Sequence, residues 1–145
     1  MTIPVKTIRS LRNARRLLRD AAAAEFGVAS STASKAATAA HNADTQVERT
    51  LDAATVALAK IKGVADFDRI ADNLTSDRHA AAAAAVTAQT AAEKAAEASQ
   101  ALFARERQLR SIDRLIEVRT EEREKSEASA EQRTSDDLTN ARSKS

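Results

Sequence analysis

Catalysis in water needs reactive side chains held within reach of one another, and the candidates in this chain stand apart. The two histidines, His41 and His79, are 38 positions apart in sequence and share no HExxH or Cys/His spacing that would hold a metal. His79 reads as a surface or seam-edge residue rather than a ligand. Cysteine is absent, which removes thiolate ligands and any disulfide framework. The Asp136-Asp137 pair lies in a polar, solvated stretch that forms no pocket for acid–base work. Ser126, Ser129, Ser135, Ser143 and Ser145 are tail polar residues without a base at a fixed offset. No glycine-rich loop offers a phosphate cradle. The expectation is a protein that is not an enzyme and needs no cofactor or metal.

The elements that would position any functional group are unusually few. The 145-residue chain has one proline, Pro4, and two glycines, Gly27 and Gly63. With so few breakers, very long helices are open to it. Alanine fills the middle, and Lys, Arg, Asp and Glu crowd the ends. That composition, with helical periodicity, points to a coiled coil. Trp and Tyr are missing and only three Phe occur, which argues against a compact globule with an aromatic core. The N-terminal MTIPVKTIRSLRNARRLLRD is basic but has no unbroken apolar run, so no secretory signal is expected. The alanine runs are too often broken by charge for membrane spans. A cytoplasmic protein is expected.

The second half carries the clearest pattern. Phe67, Leu74, Ala81, Ala88, Ala95, Leu102, Leu109 and Ile116 recur every seven residues. A parallel row, three residues on, runs Ile70, Asp77, Ala84, Ala91, Ala98, Arg105, Ile112 and Arg119. Two such rows form the a/d stripe of a packing seam. The first half is less regular. Its stripe reads Leu11, Leu18, Ala22, Phe26, Ala33, Ala37, Ala40, Val47, Leu51, Ala54, Leu58 and Ile61. The 4-then-4 spacing from Leu18 to Phe26 is a stutter, with Gly27 beside it, where a local bend is expected.

Reversal is expected at Gly63, which follows the cationic Lys60-Ile61-Lys62 in the usual helix C′ position, with Asp66 as cap of the next helix. The first stripe opens near Ile8 and the second fades at Val118, and their midpoint is residue 63. The fold expected is all-α: a long antiparallel two-helix coiled-coil hairpin with a longer C-terminal helix. It forms one domain over 1–145, with helix 1 at about 5–61, the turn at about 62–66 and helix 2 at about 67–142. Each arm should span roughly 80 Å at 1.5 Å per residue. Beyond Val118 the seam ends, and the remaining polar residues should overhang as helix without a partner, held by a binding protein or frayed.

Charge is unevenly placed. The chain carries +2 overall, yet residues 1–20 hold Lys6, Arg9, Arg12, Arg15, Arg16 and Arg19 against Asp20 alone. Folding at Gly63 brings Arg9, Arg12, Arg16 and Arg19 beside Arg107, Arg110, Arg114, Arg119 and Arg123 at the open end. Glu106, Asp113, Glu117 and Glu121 offset part of the repulsion. Such a cluster is a poor stability device and a natural partner surface.

The C-terminal stretch RERQLRSIDRLIEVRTEEREKSEASAEQRTSDDLTNAR resembles the FliJ family, the general chaperones and central stalks of flagellar type III export. The shared features are the seam of Leu109, Ile112, Leu115 and Ile116, the Glu131-Gln132-Arg133 cluster and the Asp136-Asp137 pair. VADFDRIADNLTSDRH resembles the family's motif just after the hinge, with Phe67, Ile70 and Leu74 spaced alike, and LRNARRLL fits its N-terminal arm. The resemblance implies a stalk whose open end enters the ring of the export ATPase, FliI. Its hinge side, through Phe67, Ile70 and Leu74, would meet the export gate protein FlhA, and some members handle export chaperones. It also implies a location peripheral to the export apparatus at the cytoplasmic face of the inner membrane.

Other readings compete with this one. An injectisome stalk of the YscO type shares the shape and role, as would another coiled-coil adaptor. A phasin-like protein coating polymer granules would show a wider apolar stripe and no matched reversal. Nucleic-acid binding through residues 1–20 lacks the interleaved aromatics that stack on bases, so no nucleic-acid partner is expected.

Overall fold

The computed structural model describes residues 3–144. They form an all-α chain of two helices, α1 (Val5–Leu58) and α2 (Val64–Ser143), with no strand among the described residues. The Pro4 carbonyl opens α1 by accepting from the amides of Thr7 and Ile8, at 3.0 and 3.2 Å. At the other end the Lys60 amide donates to the Ala57 carbonyl at 2.9 Å, an i→i−3 bond that tightens the last turn. The Gly63 carbonyl accepts from the Phe67 amide and starts α2.

The reversal therefore occupies residues 59–63, a few residues earlier than the sequence suggests. Gly63 does not take the left-handed C′ conformation, because no described residue has a positive φ. It serves at the start of α2 rather than the end of α1. Asp66 is not the cap either: it sits in the first turn of α2, where a carboxylate favours the helix dipole, 3.6 Å from Arg69.

Contacts divide the chain into two units whose boundaries fall inside both helices. Unit 1 comprises Met1–Ala21 and Phe103–Ser145, and unit 2 is Ala22–Leu102. In unit 2 the Thr50 hydroxyl donates to Asp77, while Ala57 lies beside Ile70 and Ala29 beside Ala91 along clefts between the helices. In unit 1 Arg12 pairs with Asp113 and Arg15 with Gln108. As numbers rise along α1 the partners fall along α2, so the helices are antiparallel within each unit.

Burial follows a heptad rule along both helices. On α1 every seventh residue from Val5 to Ala54, and every seventh from Ile8 to Ala57, is shielded, and only Thr45 is shielded outside these rows. On α2 both rows read from the sequence are shielded throughout, from Leu74 to Ile116 and from Ile70 to Arg119, with one exception. Phe67 remains 53% exposed, because α1 has already ended where its partner would stand.

The first helix corrects the sequence reading. Leu11, Leu18, Ala37, Leu51 and Leu58 are exposed, and there is no stutter between Leu18 and Phe26. The strict 3-4 spacing runs instead through Arg12, Arg15 and Arg19. A helix can present only one face to its neighbour. Turning it by one residue to bury Leu11 and Leu18 would withdraw Ile8, Ala22 and Phe26. Arginine tolerates the seam because its methylene stem can cover apolar surface while the guanidinium reaches outward. The helix also passes Gly27 without interruption.

The seam is thin. Among the described residues the buried side chains are Ile8, at 2% exposure, Leu109 and four alanines, Ala22, Ala54, Ala81 and Ala91. Full burial of a Leu or Ile contributes about 1.5–3 kcal/mol, and alanine far less. Neither unit concentrates its stability in a core.

Candidate protein-binding surfaces

Unit 1 gathers all nine arginines singled out in the sequence. Its paired part, residues 3–21 and 103–120, holds eleven Arg and Lys against four carboxylates. Most of those arginines stand beside a carboxylate rather than beside one another. Arg12 is half-buried and pairs with Asp113 across the helices. Arg9 lines the same hollow with Asp113, Ile116 and Glu117. Arg19, also half-buried, bonds Asp20 at 2.8 Å and borders Glu106 and Arg110. Arg110 lies 3.9 Å from Glu106, and Arg114 lies 3.2 Å from Glu117. Arg123 donates to Glu127 at 3.0 Å, one turn on. Arg16 and Arg107 are exposed, and Arg119 is half-buried on the seam row.

The arrangement is thus an interleaved lattice. Carboxylates from α2 enter between the arginines of α1, which explains how so many cations share one segment. These pairs are largely exposed, so each contributes only about 0–1 kcal/mol. Arg15 is the residue that the sequence reading passed over as a site. It donates to the Gln108 side-chain oxygen at 3.2 Å, and Arg105 reaches the same oxygen at 3.4 Å. The signal was available: Arg15 stands three residues after Arg12 and four before Arg19, the heptad step itself.

The heptad offsets give unit 1 two unlike flanks. Arg9 and Arg16 each follow a seam residue of α1, and Glu106 and Asp113 each follow one of α2, so that flank is charged. Leu11 and Leu18 each precede a seam residue of α1, and Leu115 precedes Ile116 of α2. In an antiparallel pair these positions share the opposite flank. All three leucines are exposed.

Beyond Arg119, α2 continues as helix to Ser143 with every described residue from 120 to 144 exposed. Its side chains bond along the helix, as in Arg123 to Glu127 and Gln132 to Asp136. Such i,i+4 bonds contribute about 0.2–0.5 kcal/mol each and suit an isolated helix.

In unit 2 the hinge-side trio divides. Ile70 and Leu74 are half-buried on the seam rows, while Phe67 stands outward beside exposed Val64. The surface hollows are shallow clefts between helices, one of them apolar and lined by Ala29, Thr32, Val86, Thr90 and Lys94 among others. Among the described residues no group of three or more His, Cys, Asp or Glu could hold a metal ion, and no helix is long and apolar enough to cross a membrane.

No family model, no curated protein and no solved structure matches this chain.

Proposed function

We propose that this chain is a non-enzymatic coiled-coil hairpin that acts as the stalk and chaperone of a type III protein export apparatus of the flagellar kind. The observation that carries the reading is the exposed helix over residues 120–143, continuous with the arginine-rich pair that precedes it. An isolated helix is marginal in water, so a chain that keeps one free of packing gains from a partner that receives it. A ring lined with carboxylates or helix C-termini would receive guanidinium groups such as Arg107, Arg110 and Arg119. The unbroken heptads on both helices support the coiled-coil part of this reading, since a strict seven-residue repeat keeps one seam facing its partner. The exposed Phe67, with Ile70 and Leu74 behind it, is the counterpart contact for an export gate protein.

The experiment removes residues 119–145 and, separately, replaces Arg110, Arg114 and Arg119 with Ala. Both variants should stay helical by circular dichroism while binding to the export ATPase encoded in the same genome, and stimulation of its ATP hydrolysis, fall sharply. Unchanged binding and stimulation in both would refute the stalk assignment. For the hinge side, Phe67→Ser should weaken capture of the gate protein's cytoplasmic part without loss of helicity, because the ring is already half exposed.

A further inference from the structure

The leucine flank of unit 1 has a feature that the export reading does not use. Leu11, Leu18 and Leu115 lie exposed on one side of the helix pair. Between them, Arg15 and Arg105 converge on a single neutral oxygen, that of the Gln108 side chain. Neither guanidinium is ion-paired among the described residues. Two cations sharing one amide oxygen is an unbalanced arrangement. A carboxylate would accept from both with charge-assisted bonds, roughly twice as strong as neutral ones. The flank therefore reads apolar, dicationic, apolar along the helix axis.

We infer that this flank docks an amphipathic protein helix that presents a carboxylate between two apolar residues one to two turns apart. The acidic residue enters between Arg15 and Arg105, and its apolar neighbours cover Leu11 with Leu115 on one side and Leu18 on the other. A helix in a shallow groove read through i, i+3, i+4 and i+7 anchors is a recurrent recognition mode. Charge selects this occupant over the alternatives. A second copy bringing the same flank would set its own cationic segment against this one. A bilayer surface would want cations along the rim of the apolar strip, whereas Arg9 and Arg16 lie on the opposite flank. The inference stands on this flank alone and does not depend on which assembly the chain serves.

The test uses the full chain and synthetic three-heptad helical peptides with one leucine stripe, carrying Glu, Gln or Lys at the position inside the stripe. Binding is read by fluorescence anisotropy. The Glu peptide should bind saturably, and the Gln and Lys peptides about tenfold or more weaker, the loss of one charge-assisted contact. Leu18→Gln should weaken the Glu peptide comparably. Gln108→Glu should do the same while raising the thermal midpoint, because the new carboxylate fills the site from within. Arg9→Ala, on the other flank, should leave the peptide's affinity unchanged, which separates this site from general attraction to a cationic protein. Failure of the Glu peptide to saturate, equal binding of all three peptides, or indifference to Gln108→Glu would each overturn the proposal. So would a wild-type dimer in sedimentation that Leu18→Gln returns to monomer. Preferential capture on vesicles containing phosphatidylserine, lost with Leu18→Gln, would replace the helix by a membrane and overturn it too.

Discussion

At the scale of single residues, the polar groups inside the seam and the glycines on its outside decide the local energetics. Asp77 occupies a heptad position in unit 2 and accepts from Thr50. A polar pair within a seam specifies register at a cost in stability. Asp77→Leu should therefore raise the urea midpoint, while Thr50→Val, which leaves the carboxylate without that donor, should lower stability by about 1 kcal/mol. A fall in both variants would mean that the pair stabilises outright. Gly27 lies on the exposed side of α1, with nothing within 4 Å of where a Cβ would be. Gly27→Ala should stabilise by about 0.5–1 kcal/mol, measured by urea titration, since it removes only the helix penalty of glycine. Gly63 has no positive φ and equally open space, so Gly63→Ala should fold as well as the parent. A loss above about 1 kcal/mol there would restore the left-handed cap that the sequence suggests.

At the scale of elements, the seam rows of α2 were legible from Ile70 onward and those of α1 only in part. Both rows of α2 could be written down from Leu74 to Arg119, because alanine and leucine fill them and little else competes. On α1 the leucines mislead. Leu11 and Leu18 each sit one residue from the true seam, beside Arg12 and Arg19, and a reading by hydrophobicity chooses the leucines and needs a stutter to reach Phe26. Spacing was the better guide: counting by heptads back from Ala54 arrives at Arg19, Arg12 and Val5 without an irregularity. The turn was found to within a few residues, because a lone glycine after two lysines marks a boundary without fixing its geometry. Substitution can check the register directly. Ile8→Ala removes the most buried side chain of the chain and should cost about 2 kcal/mol, at the low end for such truncations because the seam is thin. Leu18→Ala should change stability by less than about 1 kcal/mol, because Leu18 is exposed. Similar costs for the two would place α1 in the leucine register instead.

Across the whole molecule, apolar burial is spread thinly and cations are concentrated where the seam is least apolar. Residues 3–21 and 103–120 combine a net excess of seven positive charges with arginine at five seam positions, Arg12, Arg15, Arg19, Arg105 and Arg119. Leucine at those positions would bury more surface and remove repulsion, so stability alone does not account for the arginines. Proteins commonly keep such locally unfavourable groups where binding needs them. The combined substitution of Arg12, Arg15 and Arg19 by Leu tests this trade. The variant should melt at higher temperature than the parent, since three seam positions each gain up to about 1.5–3 kcal/mol of burial and lose two partly exposed ion pairs and the bond from Arg15 to Gln108. It should also lose the parent's sensitivity to salt. In the parent, raising ionic strength from low to physiological screens repulsion to about 8 Å and should raise the melting temperature. Affinity for the export ATPase should drop in the same variant, because the guanidinium groups proposed to meet the ring are gone. A lower melting temperature would show that the bonds from Arg12 to Asp113 and from Arg15 to Gln108 hold unit 1 together. The arginines would then be explained by the fold itself, with no partner required.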